Sequence, residues 1–355
     1  MFNCTNEITK FHDEEVRLSR RQSDDLHAKK VANRDRIQLG LADNGDPKPV
    51  GFWVQGSFAM KTVVQAENNH IDLDDGLYFR ATDLKGRNGG DLSPRAVKEK
   101  VLAAVADGRF TRKPEILTNC VRVYYNEGYN IDVPVYREVT TTNWAGKPET
   151  HYELASSEWK TADPRAVTEW FNREVTEQSP DTTNGRQLRR LVRLMKDFVD
   201  SRPSWVEKMP SGFILSTLLL NECYRPDPTR DDLSLYNTMK ALHDRLTWNT
   251  EVNHPVLDEK LTKDSDKTRL DFLREQLSTA LADLQILFKN DCDAETALKA
   301  WGKVFNAREF FEEQIPAAQS KGQKMEALSG FGILSKPASE QTLNAVDKQG
   351  GGRYA

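Results

Sequence analysis

The chain has 355 residues, of which 38% are hydrophobic and 29% are charged. Its 20 glycines and 15 prolines are too few for a fibrous or disordered chain. Fifty basic residues against 54 acidic ones give a net charge of −4, which argues against a globally basic nucleic-acid-binding protein. No apolar run approaches the ~20 residues of a membrane span, and no apolar segment follows Met1. We therefore expect a soluble, cytoplasmic protein of about two domains.

The first 160 residues carry the pattern of an α+β domain with a small mixed sheet. Loose helical spacing predicts an N-terminal helix over residues 6–40, which ends at the breaker cluster 43–49. Short runs rich in Val, Ile and Tyr predict strands, and a serine cap followed by proline predicts a helix between the second and third strands. The predicted strands are 51–55, 71–79, 121–125 and 129–139, and the helix is 93–107.

The pattern from residue 161 to residue 334 is predominantly helical and predicts a second domain. The predicted helices are 166–175, 185–200, 211–223, 233–246, 267–288 and 294–311. Residues 335–355 contain Pro, Ser, Gln and Asn and a run of three glycines, a composition typical of a flexible tail.

Two carboxylates on one face of a strand are the most informative feature of the first domain. In the predicted strand 71–79, Asp72 and Asp74 point to the same side and Asp75 points to the other. Like charges about 7 Å apart repel each other unless a divalent cation lies between them, and all-oxygen ligands suit Mg²⁺ or Mn²⁺. An acidic strand end is the structural alternative, because Asp-Asp-Gly is also turn chemistry.

Two neighbouring features favour the metal interpretation. Upstream, a strand runs through Gln55 into Gly56 and Ser57, where a glycine lets the backbone approach a phosphate and the hydroxyl can donate to it. Downstream, Asp132 lies inside an apolar strand, and a lone core carboxylate is costly unless it is paired or metal-bound. Taken singly, the Gly56–Ser57 segment is explained by an ordinary loop, and Asp132 is explained by an aspartate at the edge of a strand. Together with the Asp-x-Asp strand, they have the layout of a two-metal nucleotidyltransferase site.

A cationic helix is predicted at residues 185–200. Basic residues recur along one stripe and an apolar stripe faces the core. The stripe consists of Arg186, Arg189, Arg190, Arg193 and Lys196. Either these cations pair with an acidic protein surface, or they serve a bound polyanion. We assign Lys196 to the phosphate contact, because it lies near the end of the helix.

The motifs FWVQGSF, DLDDGLYF, IDVPVY, ADPRAVTEWF, LRRLVRLMKDF and PSGFILSTLL occur in this order between residues 51 and 220. In this order the chain resembles the DncV-like cyclic GMP-AMP synthases. These are bacterial CD-NTases, related to animal cGAS and oligoadenylate synthase. The resemblance implies a polymerase-β-like nucleotidyltransferase core packed on a helical bundle, with the active site in the cleft between them.

The resemblance also implies roles for individual residues. The implied ligands of two Mg²⁺ ions (or Mn²⁺) are Asp72, Asp74 and Asp132, and Asp132 would also help to deprotonate the ribose hydroxyl. The implied contacts of the donor triphosphate are Gln55, Gly56, Ser57, Lys196 and Ser211. From sequence alone Ser211 is also expected to cap a helix, and both roles are compatible. Met60 and Gly212 depart from the family pattern, so the bases that the site selects are left open.

The function implied by the resemblance is synthesis of a cyclic oligonucleotide from NTPs with release of pyrophosphate. ATP and GTP are the expected substrates, cyclic GMP-AMP the expected product, and antiphage (CBASS) signalling the expected role. A ubiquitin-transfer-like partner that conjugates the C-terminus at Ala355 is also implied. Two alternatives are a template-independent RNA-tailing nucleotidyltransferase and an inactive nucleotide-sensing scaffold. The net charge of −4 disfavours the first, and the presence of all three strand aspartates disfavours the second.

Overall fold

The computed structural model describes residues 1–65, 71–86 and 88–320. The predicted flexible tail and the predicted conjugation at Ala355 lie outside these residues. None of the helices in the described ranges combines the length and the apolar character that a membrane crossing requires.

Helices dominate the second half of the chain and strands the first. The helices are α1 (Thr5–Phe11), α2 (Arg20–Asp43), α3 (Gly56–Ala59), α4 (Pro94–Val105), α5 (Pro164–Gln178), α6 (Gln187–Asp200), α7 (Gly212–Leu218), α8 (Asp231–Trp248), α9 (Asp264–Leu284), α10 (Ala294–Val304) and α11 (Arg308–Glu313). The strands are β1 (Gly51–Gln55), β2 (Asp72–Arg80), β3 (Glu115–Ile116), β4 (Val121–Tyr124), β5 (Asn130–Val133), β6 (Val135–Thr142), β7 (Pro148–Ala155) and β8 (Trp159–Thr161).

The strands form one mixed sheet in which β2 is central. The order is β3-β4-β5-β2-β6-β7-β8, and β1 pairs with β2. Strand β2 runs parallel to β5 along its first half and parallel to β6 along its second half, whereas all other pairs in this sheet are antiparallel. The predicted α+β class with a mixed sheet is confirmed.

Two details of the predicted sheet are wrong. The predicted strand 129–139 is two strands, β5 and β6, which separate at Pro134 because proline has no N–H to donate to a ladder. Strands β3, β7 and β8 were not predicted. Most of β7 is polar and only half-buried or exposed, so its sequence lacks the alternation that marks a strand.

The single N-terminal helix predicted over residues 6–40 is also wrong. Helix α1 continues into one π-helical turn, His12–Val16, and the chain is extended at Arg17. Helix α2 starts after Ser19, whose hydroxyl accepts from the backbone N–H of Gln22 while the Gln22 side chain accepts from Ser19. This capping box begins a new helix where the pattern suggested a continuous one.

Two hydrophobic cores lie on either side of a cleft. One is formed by the sheet with α2 and α4, and it contains Leu26, Leu73, Leu77 and Val101. The other is formed by α1 and the helices from α5 onward. Helix α1 therefore packs with the C-terminal helices, while α2 packs on the sheet.

Candidate active site

The three predicted aspartates lie on two adjacent strands. In the parallel pairing of β2 with β5, Asp74 is the register partner of Asp132 and Asp72 is the partner of Asn130. Asp72 and Asp74 share one face of β2, since side chains two residues apart point the same way. Asp132 is buried, with 7% of its surface exposed. The strand order thus brings together two carboxylates that are 58 residues apart in the chain.

Asp75 points to the opposite face, as alternation predicts. It is buried beneath α2, where both of its oxygens accept from the Arg34 guanidinium at 2.5 and 2.6 Å. A buried carboxylate with a bidentate arginine is satisfied within the fold. Asp75 is therefore a structural residue.

Arg122 links two of the three aspartates. Its guanidinium donates to both carboxylate oxygens of Asp132, at 2.6 and 2.7 Å, and to Asp72 at 3.0 Å. Asn130 donates to the other oxygen of Asp72 at 2.8 Å. Within the described residues, no group of three or more His, Cys, Asp or Glu side chains is arranged to hold a metal ion. In this arrangement the positive charge of Arg122 neutralises part of the negative charge of Asp72 and Asp132.

Asp74 has no ion pair with Arg122. Burial, and then the nearby charges of Asp132 and Asp72, raise the pKa of the Asp74 carboxyl to about 7. A cation beside Asp74 would relieve both effects, because it would favour the charged form. The carboxylate oxygens of the three aspartates are therefore of the type that hard divalent cations prefer as ligands.

The turn after β1 contacts Asp74 directly. Gly56 adopts a positive φ of 63°, and a Cβ atom at this position would overlap a carboxylate oxygen of Asp74. A side chain is therefore excluded at Gly56 both by space and by backbone conformation. The same turn starts α3 and carries Ser57 into the cleft.

Gln55 ends β1 and is buried beside this turn. Its amide nitrogen donates to the Tyr136 hydroxyl at 2.8 Å, while its amide oxygen has no partner in the described part of the chain. Buried polar atoms are rarely left without a partner. The unpartnered oxygen is buried against Gly76, and an amide oxygen accepts hydrogen bonds and cannot donate to a phosphate. The triphosphate contact assigned to Gln55 stays a prediction.

Lys196 reaches the same cleft from the helical side. Its ammonium group donates to the carbonyl oxygen of Thr62 at 2.9 Å, and burial lowers the pKa of Lys196 to about 8. Arg190, from the same predicted stripe, instead forms buried ion pairs with Asp231 and Asp181. Arg190 therefore pairs with acidic groups of the protein, which is one of the two interpretations of the basic stripe, whereas Lys196 does not.

Ser211 caps α7, as its sequence context predicts. Its hydroxyl accepts from the backbone N–H of Ile214 at 3.3 Å, and the side chain is exposed. Ser211 does not line the cleft, although the adjacent Gly212 does. The phosphate contact assigned to Ser211 stays a prediction.

The cleft has a volume of about 820 Å³ and is lined by both halves of the molecule. Gln55, Gly56, Ser57, Asp74 and Lys196 line it together. The opposite wall includes residues 254–263, which sequence reasoning missed. Within this wall the ring of His254 packs edge-on against Phe213, with ring centroids 5.4 Å apart. No motif marks this wall, because it is assembled from a loop and a helix start.

Comparison with known proteins assigns the sheet part of this site to a family. Residues 50–136 match the family model described as the nucleotidyltransferase domain of cyclic GMP-AMP synthase DncV-like proteins. The match contains Gln55, Gly56, Ser57 and all three aspartates. Residues 50–136 form a DncV-like nucleotidyltransferase domain. The family resemblance and the enzyme class, nucleotidyltransferase, are confirmed.

Solved structures extend the similarity in fold beyond the nucleotidyltransferase domain. The Vibrio cholerae DncV cyclic AMP-GMP synthase, a prokaryotic cGAS homologue, is 17% identical, and the match covers 87% of this chain and 97% of that one with a TM-score of 0.66. Escherichia coli DncV with 3′-deoxy GTP bound is 18% identical, with 83% and 93% coverage and a TM-score of 0.61. The helical part therefore shares the DncV fold around the nucleotidyltransferase domain.

Proposed function

We propose that this protein joins nucleoside triphosphates into a cyclic dinucleotide. In each of two successive transfers, a ribose hydroxyl of one nucleotide attacks the α-phosphorus of the other, a P–O bond forms, and the bond to the β-phosphate breaks with release of pyrophosphate. The second transfer closes the ring. The observation that carries the proposal is the cleft in which Asp74, register partner of Asp132, lies beside the Gly56–Ser57 turn and Lys196. A carboxylate and two side-chain hydrogen-bond donors, Ser57 and Lys196, thus line one space.

Asp72, Asp74 and Asp132 are the residues that would hold divalent metal ions. Their donor set is oxygen only, and burial with the nearby charges of Asp132 and Asp72 raises the pKa of Asp74, an effect that a bound cation would oppose. When bound, Mg²⁺ would supply charge neutralisation at the reacting phosphate. Binding requires Arg122 to release Asp72 and Asp132, because its guanidinium now holds them.

The carboxylates and the turn act on different parts of the substrates. Asp132 accepts the proton of the attacking ribose hydroxyl. Ser57 Oγ and Lys196 Nζ donate to the triphosphate oxygens of the donor nucleotide, and Lys196 can do so while keeping its bond to Thr62, since an ammonium group has three protons. Alignment of the two nucleotides by these groups supplies much of the rate enhancement.

ATP and GTP are the proposed substrates and cyclic GMP-AMP is the proposed product. Support comes from the shared fold with DncV, whose solved forms include one with ATP and GTP and one with a nonhydrolysable GTP. A role of the product in antiphage signalling is proposed on the family resemblance alone.

Mass spectrometry of the product formed from ATP, GTP, UTP and CTP with Mg²⁺ tests the proposal. We expect a phosphatase-resistant cyclic dinucleotide, and none from the Asp72→Asn, Asp74→Asn double variant. A parallel reaction with added RNA tests the alternative function, template-independent tailing of RNA. Extended RNA strands without a cyclic product would contradict the proposal, and so would the absence of any nucleotide product.

A further inference from the structure

Three cations on one face of α6 bind three consecutive carbonyl oxygens. Arg189 Nε donates to Met60 at 3.0 Å, Arg193 Nε to Lys61 at 2.9 Å and Lys196 Nζ to Thr62 at 2.9 Å. Positions i, i+4 and i+7 of a helix lie on one face, which explains how a single helix supplies all three donors. We call residues 60–62 with these three donors the carbonyl ladder.

The backbone conformation of residues 60–62 turns all three of their carbonyl groups towards α6. In an extended chain the pleat turns successive residues to opposite sides, so three consecutive carbonyls do not face one helix. Lys61 adopts a positive φ of 56°, which breaks that alternation. A non-glycine residue in this region costs roughly 1–2 kcal/mol. The bonds from α6 offset this cost.

The ladder is joined to the phosphate-binding turn by short hydrogen bonds. The backbone N–H of Thr62 donates to the carbonyl of Ser57 at 2.8 Å, and that of Met60 donates to Gly56 at 3.1 Å. Residues 56–62 are therefore joined to one another by backbone hydrogen bonds, and α6 holds the C-terminal part of this segment, residues 60–62. A shift of the ladder would move the Ser57 hydroxyl and the Gly56 backbone with it.

The ladder cations lack acidic partners. In the ranges that the structure describes, no carboxylate oxygen lies within 4.0 Å of the charged nitrogens of Arg189, Arg193 or Lys196, whereas Arg190 on the same helix has two. Arg193 is buried, with 5% of its surface exposed, and its remaining contact is to the neutral ring of His12 at 2.7 Å. Arg193 is thus a buried cation without a carboxylate in contact, which is costly unless an anion lies nearby, whereas Arg189 and Lys196 are half-buried.

We propose that Arg189 and Arg193 are positioning residues for the triphosphate of a bound nucleotide. They hold the Gly56–Ser57 turn in its phosphate-binding geometry through the carbonyl ladder, and their unpaired charges add positive potential to the same site. The proposal rests on the proposed function, because it takes a nucleoside triphosphate as the ligand. Of the three donors of the ladder, Lys196 alone also lines the cleft.

The test compares Arg189→Met and Arg193→Met with a control, Arg202→Met, in the full chain. Arg202 also donates to two consecutive carbonyls, of Lys303 and Val304, at the C-terminal end of α10. Hydrogen exchange of the peptide 56–65, measured without nucleotide, reports the ladder itself. Binding of a nonhydrolysable ATP analogue and of adenosine reports whether the effect depends on phosphate.

We expect both ladder variants to speed hydrogen exchange of residues 56–65 at least tenfold. They should also weaken binding of the ATP analogue at least tenfold and leave the affinity for adenosine unchanged. Arg193→Lys should recover part of the affinity because it keeps the charge, and Arg202→Met should change neither measurement. Faster exchange with unchanged analogue affinity would overturn the positioning role, as would equal losses for the analogue and adenosine. If the expected binding pattern appears but the wild type makes no cyclic product, the proposed function fails and the positioning role stands.

Discussion

Asp74 and Asp132 are register partners on parallel strands, and this pairing places a second carboxylate beside one that is already buried. Burial, and then the charges of Asp132 and Asp72, raise the pKa of Asp74 to about 7. A carboxyl group whose pKa is higher in the folded state stabilises the fold below its unfolded pKa, and that contribution is lost as the pH rises through the folded value.

Asp74→Asn should therefore be more stable than the wild type at pH 8 in the absence of divalent ions. We expect a gain of roughly 1–4 kcal/mol in the free energy of unfolding, which disappears below about pH 3, where the carboxyl group is protonated in both states. Urea unfolding at the two pH values measures it. Asp83→Asn, an exposed carboxylate just beyond the same strand, is the control and should show no such gain. A variant no more stable than the wild type at pH 8 would argue against an uncompensated Asp74.

Arg122→Gln should bind Mn²⁺ more tightly than the wild type, by about tenfold or 1.4 kcal/mol. The reason is that the guanidinium now holds Asp72 and Asp132, so a metal ion must displace it. Electron paramagnetic resonance of free Mn²⁺, without nucleotide, gives the affinity. Arg137→Gln, which breaks ion pairs with Asp91 and Glu153 elsewhere in the sheet, is the matched control. Unchanged or weaker Mn²⁺ binding by the Arg122 variant would show that Arg122 does not compete for the site.

His12 should make the fold sensitive to acid. Arg193 donates to its Nε2, so Nδ1 carries the proton and donates to Asp13 at 2.8 Å. Burial lowers the pKa of His12 to about 4, so its contribution to stability is present above pH 6.5 and is lost as the pH falls toward 4. The loss amounts to about 3 kcal/mol at most.

Replacing His12 with Gln should flatten the stability profile between pH 6.5 and 4, as followed by urea unfolding. His243→Gln, on the surface of α8, should leave the slope as it is in the wild type. The account of a neutral buried His12 is wrong if the His12 variant keeps the full wild-type slope.

Ser57 and Ser211 should differ in what their loss changes. Ser211→Ala removes the cap of α7 and should cost about 1 kcal/mol of stability. Ser57→Ala should leave the melting temperature unchanged and raise the KM for the donor nucleotide, because we assign its hydroxyl to the triphosphate. Thermal melts combined with pyrophosphate-release kinetics separate the two effects. A drop in melting temperature without a change in KM for Ser57→Ala would remove its assignment.

Local rules were enough to predict part of this site. Strand alternation placed Asp72 and Asp74 on one face and Asp75 on the other, and the structure shows Asp75 buried under α2 with Arg34. The serine before a helix predicted the Ser211 cap. These inferences succeeded because each depends on residues close together in the chain.

Long-range packing was not predictable in the same way. Arg122 alternates with apolar residues in β4, but its contact with Asp72 depends on which strands are neighbours. The bond from Arg189 to Met60 spans 129 residues, and no local pattern records it. The break between α1 and α2 was missed because polar residues at the junction suit either a helix or a cap.

Anomalous diffraction from crystals grown with Mn²⁺ and a nonhydrolysable nucleotide tests the central claim most directly. The account predicts manganese ions bound by the carboxylates of Asp72, Asp74 and Asp132, with Arg122 displaced from both of its partners. Manganese at other side chains, with the guanidinium of Arg122 still on Asp132, would contradict it.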